Sequence, residues 1–105
     1  MILFKPEHVP MILAGRKTQT RRTWDKPRVK VGRIYQCRTS YYGKPFARVR
    51  VTELRRERLG DISDADVYAE GYDSREALAD VWRRIHGKNP DPAQEVWVVT
   101  FEIVQ

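Results

Sequence analysis

The segment EVWVVTFEIV, Glu95 to Val104, limits the fold more than any other stretch of this chain. Strand-period alternation places Trp97, Val99, Phe101 and Ile103 on one side and Val96, Val98 and Thr100 on the other. Both sides are apolar in the middle, so the segment reads as a central strand that needs cover on both faces. A length of 105 residues supplies one core and one domain, residues 1–105. The cover must therefore come from the same small chain.

The remaining elements read as short pieces around that strand. Ile2 to Phe4 is a short strand, and Pro6 to Leu13 a helix ended by Gly15, with Pro10 placed in a first turn or bending it. Lys17 to Trp24 alternates hydroxyl and charge and reads as extended or looped. Gly32 turns into a strand over Ile34 to Thr39, and Tyr41 to Pro45 is a turn. Phe46 to Leu54 alternates, with Ala47, Val49 and Val51 on one face. Arg55 to Leu59 continues that strand or forms a bulged, charged edge. Ser63 and Ser74 are N-cap residues of two helices that Gly71 and Gly87 stop. This order predicts an α+β domain: a small twisted sheet or partly closed barrel with helices over its ends.

Charge is sectional. Residues 15–58 hold fifteen Lys/Arg against three Asp/Glu, whereas residues 59–105 hold four against ten. A basic block of this kind attracts a polyanion, or forms a solvated surface paired with the acidic half. No apolar run approaches the roughly 20 residues of a membrane span. The N-terminal MILFKPEHVPMILAG is broken by Lys5, Pro6, Glu7 and His8 and does not read as a signal peptide. The single cysteine, Cys37, allows no internal disulfide, which suits a reducing cytoplasm, and it reads as a buried apolar residue. One thiol with two histidines, His8 and His86, does not make a metal site. Both histidines sit at helix ends, where a C-terminus favours a protonated His86. Trp82 and Trp97 read as core.

The run GRKTQTRR, Gly15 to Arg22, concentrates four cations around two threonines. Arg16, Arg21 and Arg22 can fork onto phosphates, with Lys17 as a point charge. Alternatively, a lysine among arginines has a depressed pKa and can act as general base to a hydroxyl nucleophile, Thr18 or Thr20. If the run is extended, Thr18 and Thr20 share one face and Lys17 and Gln19 the other, so a Lys17–Thr20 partnership needs a turn at Gln19. A solvated basic loop uses the same residues. Trp24, Tyr41 and Tyr42, near the positive segment, are candidates to stack on bases or to cap the sheet edge, and Tyr72 to line a pocket.

The run ILAGRKTQTRR, residues 12–22, resembles the signature of the ASCH domain family. VKVGRIYQCRT (29–39), ISDADVYAEGYDSREAL (62–78) and VWVVTFEIV (96–104) resemble further family elements in the same order. The resemblance implies a PUA-like fold, a small mixed β-barrel with flanking helices, and an RNA or modified nucleoside as partner; no cofactor is expected. Some small bacterial members are amidohydrolases that deacetylate N4-acetylcytidine, and others have been described as ribonucleases. Carried over by motif, the catalytic group is Lys17, Thr20 and Glu70. Lys17 would accept the Thr20 proton, Thr20 would attack the acetyl carbonyl, and Glu70 would hold Lys17 or protonate the leaving amine. Arg21 or backbone N–H groups would hold the oxyanion. The chain departs from those members in its doubled Arg21-Arg22 and in the Glu70-Gly71-Tyr72 context. Two functions follow: hydrolysis of an N4-acetylated cytidine or similar amide, or non-catalytic RNA binding (or RNA cleavage) by the basic segment 15–58. Arg16, Thr18, Arg21, Arg22, Trp24, Tyr41, Tyr42 and Tyr72 are the substrate- or RNA-binding candidates.

Overall fold

A computed structural model describes residues 1–105. In chain order the elements are β1 (Ile2–Leu3), a 3-10 turn (Pro6–His8), α1 (Val9–Leu13), β2 (Gln19–Arg22), β3 (Ile34–Arg38) and β4 (Ala47–Arg58). A second 3-10 turn (Leu59–Asp61), α2 (Asp64–Ala69), α3 (Arg75–His86) and β5 (Glu95–Val104) follow. The five strands form one curled half-barrel sheet in the order β1-β3-β4-β5-β2, the α+β architecture expected of a PUA-like domain. β1 runs parallel to β3 and every other pairing is antiparallel. No helix is long and apolar enough to cross a membrane.

β5 lies between β4 and β2 and carries core on both sides, as its composition requires. Val99 and Phe101 join Ile2, Phe4, Ile12, Val29, Cys37, Val49 and Val51, while Val96 and Val98 pack with Leu59 and Trp82 of the helical side. Burial raises the Cys37 thiol to about 11, so it stays an apolar filler. Trp97, read as core from the alternation, is only partly buried and carries the Arg56 guanidinium 4.9 Å from its ring centroid.

Two local features bear on the sequence expectation. The first helix is split: Pro6 and Pro10 each sit in the first turn of a separate short element, because Pro10 lacks an N–H and its ring collides with the carbonyl four residues back. The second is Arg55–Arg58, which takes the first of its two expected courses: it continues the strand and pairs with β5 along its length. A bulge between Val51 and Glu53 sets its direction. Val51 opposes Phe101, but Leu54 opposes Val99, so the inward set changes from odd to even positions. Arg55 and Glu57 are thereby placed opposite Val98 and Val96, on the side where α2 and α3 pack.

Candidate functional site

β2 is one edge of the sheet and β1 the other, and the half-barrel stays open between them. The Arg22 Nη2 donates to the Leu3 carbonyl at 2.7 Å across that gap. A cavity of about 420 Å³ lies there. Leu3, Phe4 and His8 line it from the N-terminal side, Lys17 and Thr20 to Trp24 from β2 and its flanks, and Glu70 and Tyr72 from the end of α2. Leu59, Leu78, Val81, Trp82, Ile85 and His86 make an apolar wall. The volume falls in the roughly 300–1,000 Å³ range of small-molecule sites.

Lys17 is 2% exposed and fully fixed. Its Nζ donates to the Glu70 carboxylate (Oε1, 2.9 Å) and to the Glu70 backbone carbonyl (2.8 Å). The backbone around it is pinned: Arg16 and Lys17 N–H groups donate to the Met11 carbonyl, Thr18 N–H to the Ala69 carbonyl, and Phe101 N–H to the Thr18 carbonyl. Burial lowers the Lys17 pKa, assisted by Arg22 and Arg21 and opposed by Glu70. Glu70 reaches this position because it caps α2 and is followed by Gly71 at φ +105°. A Cβ at Gly71 would lie 3.0 Å from Met11 Sδ and 3.5 Å from Lys17 Cβ, so both conformation and space call for glycine.

β2 is extended through Gln19 with no turn, so Gln19 and Arg21 share one face and Thr20 and Arg22 the other. On the first face Arg21 donates to Glu57 (3.0 Å), Glu70 (2.9 Å), Asp66 (3.3 Å) and Gln19 (3.0 Å). Gln19 in turn donates to Asp66 at 3.1 Å. Arg55 donates to Asp66 at 2.7 Å and also to Glu57. Burial works against the Asp66 charge, but hydrogen bonds from Gln19 and Arg55 and the charges of Arg21 and Arg55 hold its carboxyl below the usual range. On the second face the Thr20 hydroxyl accepts from Arg22 Nε at 3.0 Å. Lys17 and Thr20 thus open on one cavity without a hydrogen bond between them.

The other candidates divide. Trp24 and Tyr72 line the cavity, and the Arg28 guanidinium lies 6.0 Å from the Trp24 ring centroid. Arg16 points away from it, stacked 3.3 Å from the Tyr68 ring centroid, bonded to Asp73 at 3.0 Å and donating to the Tyr68 carbonyl. Thr18 serves through its backbone. Tyr41 and Tyr42 stand exposed on the β3–β4 turn and line nothing in the cavity.

His8 and the α3 wall are cavity residues that sequence reading missed. His8 is buried, shares a 3.0 Å hydrogen bond with the Tyr72 hydroxyl, and is lowered to about 4 by burial and then by Lys17. Burial also raises the Tyr72 phenol. His86 differs from expectation: it stacks on Trp82 at 4.1 Å, and burial and Lys88 lower its pKa, outweighing the helix terminus. No local pattern marks a histidine before a proline-broken helix as a pocket residue.

Similar proteins agree with this architecture. The ASCH domain from Lactobacillus crispatus JV V101 superimposes with a TM-score of 0.74 at 16% identity, over 90% of this chain and 69% of that one. The protein EF3133 from Enterococcus faecalis V583 gives 0.70 at 20% identity, over 93% and 67%. The hypothetical protein PH0355 gives 0.73 at 20% identity, over 98% and 96%. No curated protein sequence matches the chain. The profile of the ASCH domain family matches residues 2–105, a span that contains the whole half-barrel and every residue of the cavity, and the chain belongs to that family.

Proposed function

We propose that this chain is an amidohydrolase of acylated nucleosides of the N4-acetylcytidine type, with Lys17, Thr20 and Glu70 as its reacting group. The observation that carries this reading is the state of Lys17: buried, depressed in pKa, and bonded twice to Glu70 beside a hydroxyl in the same cavity. A neutral lysine amine has two N–H bonds, and the carboxylate and carbonyl of Glu70 accept both. Its lone pair is left to take a proton. Thr20 supplies that proton directly or through one water, attacks the acyl carbon and forms a threonyl ester. Glu70 orients the amine. Phe4, Trp24, Tyr72 and Trp82 offer flat apolar surfaces for a base.

A second reading, RNA binding without chemistry, draws on a different observation. Arg16, Arg21, Arg50, Arg55, Arg56 and Arg58 are paired to carboxylates. Lys26, Arg28, Lys30 and Arg33 of the β2–β3 loop are not, and Trp24 of the same loop lines the cavity with the Arg28 guanidinium 6.0 Å from its ring centroid. This loop would carry the phosphate contacts.

Incubation with N4-acetylcytidine and with an RNA oligomer separates the readings. Acetate release by the wild type that is lost in Lys17→Ala and Glu70→Ala supports the hydrolase. RNA retention that weakens steeply with salt, with no product from the nucleoside, rejects it in favour of the binder.

A further inference from the structure

The arginines around the cavity are not equivalent in charge. Lys17, Arg21 and Arg55 stand against Glu53, Glu57, Asp66 and Glu70, three cations with four carboxylates in one connected cluster. Arg22 lies outside it and forms no ion pair. Its Nε donates to Thr20 Oγ1 at 3.0 Å, its Nη2 to the Leu3 carbonyl at 2.7 Å, and its guanidinium carbon lies 4.9 Å from the Phe4 ring centroid. All three partners are neutral. A guanidinium carries five N–H donors, so three remain without a protein acceptor at the wall of the cavity. Burial opposes this charge and Glu70 favours it only from beyond ion-pair distance, so the guanidinium keeps donors free for a negative partner in the cavity.

The position of Arg22 says where that partner forms. A cation that donates to the nucleophilic oxygen stands beside whatever carbonyl the oxygen attacks. We infer that Arg22, not Arg21, receives the oxyanion of the tetrahedral intermediate. This rests on the hydrolase reading above. The Thr20 oxygen forms a bond to the acyl carbon while its proton leaves to Lys17, and the carbonyl π pair moves onto the acyl oxygen, facing Arg22. Collapse restores the carbonyl and breaks the C–N bond, and Lys17 returns the proton to the leaving nitrogen. Water then adds to the threonyl ester, its proton passing to Lys17 and the oxyanion again resting on Arg22. Collapse expels the Thr20 oxygen, which regains its proton from Lys17, and the carboxylic acid leaves. Arg21, held by four side chains, has no such freedom.

The test is steady-state turnover of N4-acetylcytidine by the wild type, Arg22→Gln and Arg22→Lys, each first shown folded by a cooperative melt. Loss of an oxyanion donor predicts a kcat about 100- to 1,000-fold lower in Arg22→Gln, with KM changed no more than about threefold. Arg22→Lys keeps a point charge without the fork and should fall between the two. It also carries the test if Arg22→Gln does not fold. A kcat within about threefold of wild type in a folded Arg22→Gln, or in Arg22→Lys when that is the only folded variant, overturns the assignment and leaves the hydrolase reading intact. An equal loss expressed wholly in KM overturns it too, since that is ground-state binding. A wild type without turnover removes the hydrolase reading, and this one with it.

Discussion

Arg21 and Arg22 are adjacent and chemically identical, yet they live in opposite surroundings. Arg21 is surrounded by Gln19, Glu57, Asp66 and Glu70 on the face that the bulge in β4 loads with Arg55 and Glu57. Arg22 faces a hydroxyl, a carbonyl and an aromatic ring at the open gap between β1 and β2. One step along a strand exchanges an ion-paired structural charge for one without an ion pair in a cavity. A basic run is therefore no measure of available positive charge, because half of an alternating strand can be cancelled by the fold.

The largest effect expected from this contrast is on stability. Arg21→Gln takes one of two cationic partners from each of three buried or partly buried carboxylates and should cost about 3–5 kcal/mol, whereas Arg22→Gln loses two hydrogen bonds to neutral partners and should cost about 1–2 kcal/mol. Urea unfolding of both, with the midpoints compared at unchanged slope, checks this. Equal losses would mean that the carboxylates relax into water and that the two faces are not as different as drawn. Next comes pH. The unfolded chain takes a proton at His8 near pH 6.5 and the folded chain only near 4, so unfolding takes up a proton in that window. Stability then falls as pH drops from 6.5 toward 4 and this contribution levels below it, while Asp66 adds its loss at lower pH. Melting temperature measured across the window, with a flatter profile in His8→Gln, tests whether the neutral side of the cavity is what resists acid. The smallest effect belongs to Tyr42→Ala. That side chain is fully exposed on the β3–β4 turn, so stability should change by less than about 0.5 kcal/mol and cytidine-type ligands should bind the cavity unchanged. Weaker binding in a fluorescence titration would extend the site to that turn.

Much of the scaffold was readable from local rules. The doubly apolar pattern of Glu95–Val104 marks a central strand, Ser63 and Ser74 accept from Asp66 and Ala77 N–H groups as N-caps do, and Gly71 and Gly87 take positive φ at the helix ends. The chemistry of Gly15–Arg22 was readable as a list of residue types. Glu70 came from likeness to a family, since a carboxylate before a helix-ending glycine is ordinarily in water. Against the expected oxyanion role of Arg21 stand contacts that no spacing announces: Glu57 comes to it across the sheet only because Thr52 is an extra residue in β4.

Alternation, caps and glycines are short-range, set by the dihedral preferences and hydrophobic pattern of a few neighbours, and so the chain's letters alone marked the central strand, the inward face of Ala47 to Val51 and the ends of α2 and α3. Which charges meet depends on residues 36 to 53 positions apart being brought within 3 Å, as Arg21 is to Glu57 and Lys17 to Glu70. Electrostatic interaction follows distance in space and local dielectric rather than distance along the chain. Only the curled sheet and its bulge could decide that Arg21 is neutralised, Lys17 desolvated and Arg22 left facing the cavity.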